Sequence, residues 1–322
     1  MKAVLYPFSA DDQSMQLLRD FPDLQWALAA SPADIAREIG DAAILVTSNR
    51  VCAPAYGEAL RLCASRALGW IHFTSAGIDG GLAMGLPDWV TVTNSTGVKA
   101  AMVSEHALAL LLALVRRLPD MAADQRARRW RREEVNARVR TLAGALVCVV
   151  GLGSIGREIA RKARAFEARA IAVSRQGRAG GDIEAVFPRE RLADALARAD
   201  AVVISTSADA TSFHLIGEQA LAAIRPEAFL VNVARGNIVD GAALAAALAA
   251  GRLAGAALDV TEIEPLPSDS PLWEAPNLII SPHVAGGGSS GYPQQKALFA
   301  ENLARFRAGE PLRNVCRAPA GR

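Results

Sequence analysis

Three side chains stand where chemistry is expected. Arg235 closes the run "FLVNVAR", Glu264 lies in "DVTEIEPLP", and His283 closes "LIISPH". Each follows a segment apolar on both faces, the pattern of a parallel strand covered by helices. Ligands of open α/β sheets bind beyond the carboxyl ends of the strands, so these groups would converge at one edge. A planar guanidinium can hold and polarise the carboxylate and carbonyl of a 2-keto acid. Hydride attack on that carbonyl makes an alkoxide, and histidine is the side chain best suited to protonate it near neutral pH. A carboxylate on the second ring nitrogen fixes the tautomer and favours the protonated imidazole. Taken singly, a strand-end His or Arg is commonly structural. The other histidines, His72, His106 and His214, are read that way, and no metal-ligand spacing links them.

A second constellation supplies the hydride carrier. Gly151-x-Gly153-x-x-Gly156 follows the apolar run "ALVCVV" and opens a helical pattern. Gly151 permits the tight turn, Gly153 lets backbone approach a pyrophosphate, and Gly156 lets helix and strand pack closely. Ser154 and Ile155 then present N–H groups at the positive end of the helix. The next strand, "ARAIAVS", ends in Ser174-Arg175 where an NAD site usually carries a carboxylate. A serine can donate to a 2′-phosphate that a carboxylate would repel, and Arg175, with Arg178 close by, can bind it as a charged fork. The expectation is NADP(H) preferred, with NAD(H) possible.

Length and composition agree with such an enzyme. The chain has 322 residues, 51% hydrophobic and 21% charged, with a net charge of +2. That balance offers no broad field for nucleic acid or membrane. The basic run "RARRWRREE" (126–134) reads as a solvated helix face. The four cysteines, Cys52, Cys63, Cys148 and Cys316, form no C-x-x-C pair and read as reduced thiols, Cys148 within a strand. No signal-peptide or membrane-spanning pattern is seen, so the expectation is a cytoplasmic protein.

Two α/β series position these residues. "AVLYPF", "AAILVTS" and "LGWIHFTSAG" read as strands of the first, with helices over "DDQSMQLLRDF" and over "SPADIAREIG" behind a Ser31 N-cap and Pro32. A long helix over 99–118, stopped by Pro119, leads into the second series. There the strands already named are joined by "DAVVIST" and "GAALDV", with a helix capped by Asp240 and closed by Gly251. The first series has too few helices to cover its sheet, so the C-terminal helix (293–309) is expected to return to it. This predicts two Rossmann-like α/β domains with parallel sheets: residues 1–98 with 289–322 binding substrate, and 99–288 binding the dinucleotide. The active site would lie in the cleft between them. The apolar width of the 99–118 helix suggests a homodimer.

"VNVARGNIVD", "GAALDVTEIEPLP" and "NLIISPHVAG" resemble the three signature segments of the D-isomer-specific 2-hydroxyacid dehydrogenases. "FTSAGIDGGL" resembles that family's substrate loop, and "NSTGVKAAMVSEHALALLLALVRRLP" its interdomain helix. The resemblance implies that Arg235 binds substrate, His283 is the acid/base, and Glu264 is its carboxylate partner. It implies nicotinamide or phosphate contacts at Thr206, Val233, Ala234, Asp259, His283, Ala285 and Gly286, and a substrate carboxylate on backbone at Ala76 and Gly77, with Ser75 a further substrate-binding residue of that loop. Tyr292, in the glycine-rich stretch after His283, is a further substrate candidate. Two departures stand out: "VVISTSADATSF" is shorter than the family's stretch and lacks its proline, and the post-His283 loop is unusually rich in glycine. The activity implied is reduction of a small 2-keto acid such as glyoxylate or hydroxypyruvate. The alternatives are a dinucleotide-sensing, corepressor-like binding protein and a phosphite-type anion dehydrogenase. Formate-oxidising relatives carry glutamine in place of Glu264, which disfavours that branch.

Overall fold

The computed structural model describes residues 1–10, 12–51, 67–175, 178–209, 211–288 and 291–317. The chain divides into two compact units, Met1–Lys99 with Gly288–Arg322, and Ala100–Gly287. Each holds one sheet.

The first unit carries β1 (Lys2–Tyr6), β2 (Gln25–Leu28), β3 (Ile44–Thr47), β4 (Trp70–Phe73) and β5 (Thr91–Thr93). These run parallel in the order β2-β1-β3-β4-β5, the second of the two common doubly wound orders. A C-terminal strand later in the chain, Val315–Arg317, adds antiparallel to β5. Alternate residues of β1 feed the two faces. Val4 and Tyr6 pack with Ile35, Leu45, Ile71 and Phe73, while Ala3 and Leu5 pack with Leu17, Val46, Trp70 and Phe299. Phe299 belongs to the helix Tyr292–Ala308 and stacks on Trp70 with ring centroids 5.3 Å apart. That C-terminal helix therefore covers one face of this sheet. Ser31 caps the helix Pro32–Glu38 by accepting from the Asp34 N–H, as its sequence position predicts.

The second unit carries β6 (Leu146–Val150), β7 (Arg169–Val173), β8 (Ala185–Phe187), β9 (Ala201–Ile204), β10 (Phe229–Asn232), β11 (Gly255–Leu258) and β12 (Leu278–Ile280). All run parallel in the order β8-β7-β6-β9-β10-β11-β12. Counted from β6, this is the dinucleotide-fold order 3-2-1-4-5-6 with a seventh strand added, and the direction of winding reverses between β6 and β9. Asp240 accepts from the Ala243 N–H to cap the helix Gly241–Ala249, and Gly251, at φ +66°, lies just beyond its end.

Three expectations are corrected. The 99–118 helix is two helices: Ala100–Val115 ends, Arg117 turns at φ +58°, and Leu118–Arg126 begins with Pro119 in its first turn. Proline there starts a helix, because its missing N–H has no partner to lose at that position. The apolar breadth of Ala100–Val115 is consumed inside its own unit, where Val103, Ala107, Leu110, Leu111 and Leu114 pack with Ile159, Ala160 and Ala163. The basic run is no continuous helix. Arg129 and Arg131 fold back as ion pairs on Asp124 at 3.1 and 2.7 Å, and Trp130 stands 93% exposed between them. The edge strands β2, β8 and Val315–Arg317 and the short β5 had no clear signal in the sequence, being three or four residues long.

Cys148 is buried in β6, where burial pushes its thiol up to about 12. Cys316 is exposed, and Cys52 and Cys63 lie outside the described residues. Among the described residues no helix is long and apolar enough to cross a membrane, and no group of three His, Cys, Asp or Glu is placed to hold a metal ion.

Candidate active site

The glycine turn joins β6 to the helix Ser154–Ala165. Gly151 adopts φ +102°, and a Cβ there would lie 2.5 Å from the Thr206 backbone. Thr206 thus borders the turn because the residue opposite has no side chain. Ser205 ties the same loop down by donating from Oγ to the Gly151 carbonyl at 2.9 Å. A Cβ on Gly156 would stand 2.1 Å from the Gly151 carbonyl oxygen, so only glycine lets the helix start so close to the strand. Gly153 differs, since a Cβ there would meet nothing within 4 Å. The helix also has no side-chain cap, which leaves the first-turn N–H groups, including those of Ser154 and Ile155, for an external acceptor. An uncapped helix start beside a cradle at Gly153 fits a dinucleotide pyrophosphate.

At the end of β7, the half-buried Ser174 donates its N–H to Phe187 at 3.0 Å. Arg175 is exposed and pairs with Asp209 at 3.0 Å, while Arg189 approaches the same carboxylate at 3.6 Å. Hydrogen bonds from Thr211, with the charges of the two arginines, hold the Asp209 carboxyl below its ordinary range. Asp209 and Arg189 were not singled out in the sequence, because they join this cluster from the loop after β9 and the turn after β8. Arg178 is exposed.

Arg235, Glu264 and His283 come after β10, β11 and β12, three neighbouring strands, at their carboxyl ends. The Arg235 turn is shaped by Asn232. That side chain donates to the Arg235 carbonyl at 2.9 Å and accepts from the Ala234 N–H at 3.0 Å, with Val233 and Ala234 both buried. A Cβ on Gly236 would fall 1.9 Å from the Thr261 carbonyl. The Arg235 turn therefore rests directly on the loop that carries Glu264. Glu264 accepts from the Thr261 N–H through Oε1 at 3.1 Å and faces His283 Nδ1 through Oε2 at 2.7 Å. His283 and Glu264 side chains are 41% and 37% exposed, so solvent reaches the pair. The backbone at His283 is left-handed, with φ +54°. Buried Asp259 secures the next two residues of the chain, accepting from the Val284 and Ala285 N–H groups at 2.9 and 3.0 Å. Gly286 is half-buried in the same loop.

In the first unit the loop after β4 is braced by its carbonyls. Ser75 O accepts from the Ser95 N–H at 3.1 Å, Ala76 O from Asn94 Nδ2 at 2.6 Å, and Gly77 O from Ser75 Oγ at 2.9 Å. Neither the Ala76 nor the Gly77 N–H donates to another described residue. Tyr292 is placed otherwise than its sequence position suggests. It is buried with Phe299 in the core, and its hydroxyl donates to Asp20 at 2.8 Å. Burial and that bond push the phenol well up.

A dinucleotide-type sheet with this turn, and a histidine–carboxylate pair at its carboxyl edge, defines an NAD(P)-dependent oxidoreductase acting on the CH–OH group of donors. A sequence model described as D-isomer specific 2-hydroxyacid dehydrogenase, NAD binding domain, matches residues 108–285. The chain is 31% identical over 277 residues to a glyoxylate reductase of Thermococcus gammatolerans, covering 84% of this chain and 80% of that one. A crystal structure of a D-isomer specific 2-hydroxyacid dehydrogenase family protein from Aeromonas salmonicida superposes with a TM-score of 0.83 at 32% identity, covering 98% of both chains. A D-isomer specific 2-hydroxyacid dehydrogenase from Xanthobacter autotrophicus Py2, crystallised with NADPH and MES, gives 0.80 at 29%, covering 97% of both. The chain belongs to the D-isomer specific 2-hydroxyacid dehydrogenase family.

Proposed function

We propose that this chain reduces a small 2-keto acid, of the glyoxylate or hydroxypyruvate kind, with NADP(H) preferred over NAD(H). The observation that carries the reading is the 2.7 Å contact between His283 Nδ1 and Glu264. A carboxylate at Nδ1 places a proton there and leaves Nε2 as the atom that exchanges a proton with substrate. Arg235 binds and orients the keto acid through its planar fork. The Ala76 and Gly77 N–H groups receive the substrate carboxylate. Gly151, Gly153, Ser154, Ile155 and Gly156 hold the pyrophosphate, with Thr206, Val233, Ala234, Asp259, Ala285 and Gly286 lining the rest of the nucleotide site. The bound nicotinamide supplies the hydride. His283 delivers the proton to the resulting alkoxide, and Glu264 stabilises the charged imidazole while it waits to do so.

The cofactor preference rests on Ser174, Arg175 and Arg178 at the end of β7, a strand that ends in serine and arginine instead of the carboxylate that would repel a 2′-phosphate. Arg175 already holds an anionic partner in Asp209, and a phosphate would replace it. A structural neighbour crystallised with NADPH supports the same reading. The functional molecule is proposed to be a cytoplasmic homodimer. The exposed apolar side chains Leu118, Met121 and Trp130 offer a contact that the buried Ala100–Val115 helix does not. The test is one panel of 2-keto acids with NADPH and NADH, monitored at the nicotinamide absorbance, with light scattering at the assay concentration. Activity on no 2-keto acid, or turnover only with an inorganic anion such as phosphite, overturns the substrate class.

A further inference from the structure

Asp259 is 1% exposed, and each hydrogen bond found at its carboxylate comes from a neutral donor: Ser281 Oγ at 2.6 Å, Val284 N–H at 2.9 Å and Ala285 N–H at 3.0 Å. A buried carboxylate without a counter-charge is costly. The ring nitrogen nearest this carboxylate among the described residues belongs to His106, on the helix Ala100–Val115, with Nε2 3.3 Å from Asp259 Oδ1. The same Nε2 lies 2.9 Å from Ser281 Oγ. The direction of these bonds is set by proton count. Ser281 has one hydroxyl proton, and the Asp259 carboxylate can only accept, so that proton goes to Asp259. Ser281 Oγ must then accept from His106, which places a proton on Nε2. The chain of donation runs from His106 to Ser281 to Asp259.

Asp259 in turn holds the backbone of His283. Its main-chain carbonyl accepts the His283 N–H at 2.8 Å, and its carboxylate accepts the next two N–H groups. His283 sits at φ +54°, a conformation that a non-glycine residue keeps only where its surroundings over-determine it. We infer that His106 is a positioning residue. Through Ser281 it fixes the Asp259 carboxylate and thereby the left-handed turn that aims His283. Its consequence for catalysis rests on the proposed role of His283, but its structural content does not.

The experiment separates the two. Hydrogen–deuterium exchange of the Val284 and Ala285 amides is measured in wild type, His106→Leu, Ser281→Ala and His106→Gln. Turnover on the best 2-keto acid and NADPH affinity are read in parallel. The expected result is exchange at both amides at least about tenfold faster in His106→Leu and Ser281→Ala. Glutamine, whose amide can donate from nearly the same place, restores protection to within a few-fold. Amides of β6 and β9 keep wild-type protection in all variants. Turnover falls about tenfold in His106→Leu and Ser281→Ala, NADPH affinity weakens with it because Asp259 and Ala285 also line the proposed nucleotide site, and both recover in His106→Gln. Unchanged exchange at Val284 and Ala285 overturns the inference, as does faster exchange spread evenly over the sheet, which would mean a general loss of packing. If His106→Leu does not fold, Ser281→Ala and His106→Gln decide alone. A wild-type protein inactive on every 2-keto acid would count against the proposed function and leave the exchange result standing.

Discussion

His283 Nδ1 lies 2.7 Å from Glu264 Oε2, while Glu264 Oε1 is held by the Thr261 N–H at 3.1 Å. The carboxylate is thus oriented by backbone at one oxygen and orients the imidazole with the other. His283→Ala is expected to lower turnover by about 10²–10⁴-fold, the usual contribution of a positioned acid/base. Glu264→Gln keeps an acceptor for Nδ1–H but loses the charge, and should cost less, about tenfold. Steady-state kinetics of both folded variants checks the order. Wild-type turnover in His283→Ala, or a larger loss in Glu264→Gln, removes the assignment.

Arg235 ends a turn braced by Asn232 and seated on Thr261 through Gly236. Its place is fixed, so the shape of its head group should matter as well as its charge. Arg235→Lys is expected to lose nearly as much kcat/KM as Arg235→Ala. Full rescue by lysine would show that charge alone is used.

Gly236→Ala tests the seat itself. A Cβ 1.9 Å from the Thr261 carbonyl forces two backbone segments apart. The expected cost is about 1–3 kcal/mol of stability, with a fall in kcat/KM because the Arg235 turn moves against the Glu264 loop. Chemical denaturation and kinetics together check it. A variant as stable and active as wild type would mean that the two loops give way freely.

Arg175→Ala bears on cofactor choice. Hydrogen bonds to charged groups contribute roughly 1.5–3 kcal/mol, so NADPH should bind about 10- to 150-fold more weakly while NADH is nearly unaffected. Equal losses for both cofactors would give Arg175 a loop-supporting role through Asp209. A wild-type preference for NADH would refute the NADP(H) reading.

His72 predicts a pH dependence of stability. It is fully buried in β4, its Nε2 has no hydrogen-bond partner among the described residues, and burial lowers its pKa from 6.5 to about 4. Between those values the unfolded chain binds a proton that the folded one excludes. Stability from this group is therefore complete above pH 6.5 and falls as the pH drops toward 4, by roughly 3 kcal/mol across the window. Urea unfolding at pH 7 and pH 5 should show a loss in wild type that shrinks in His72→Leu. Equal losses in both would assign the effect to other groups.

The class of protein was already written in local chemistry. The glycine spacing, the apolar strands of the second sheet and the strand-end Arg235 and His283 are short-range signals, and each depends on a few neighbouring residues. The caps at Ser31 and Asp240 are equally local. What tertiary structure decided are contacts between segments far apart in the chain. Pro119 starts a helix because Arg117, donating to Asn277 160 residues away, has turned the chain before it. Tyr292 goes to the core because Asp20, 272 residues away, accepts its hydroxyl. The 99–118 segment looked too apolar for one buried face until the Ser154–Ala165 helix covered it. The edge strands were silent because pairing with a neighbour makes them strands, and their own residues carry little pattern. His106 read as an ordinary structural histidine, since nothing nearby in sequence shows that Ser281, 175 residues on, stands 2.9 Å from its ring. Residue types set which chemistry was available, and packing of distant segments set which groups were committed to the core and which were left to act.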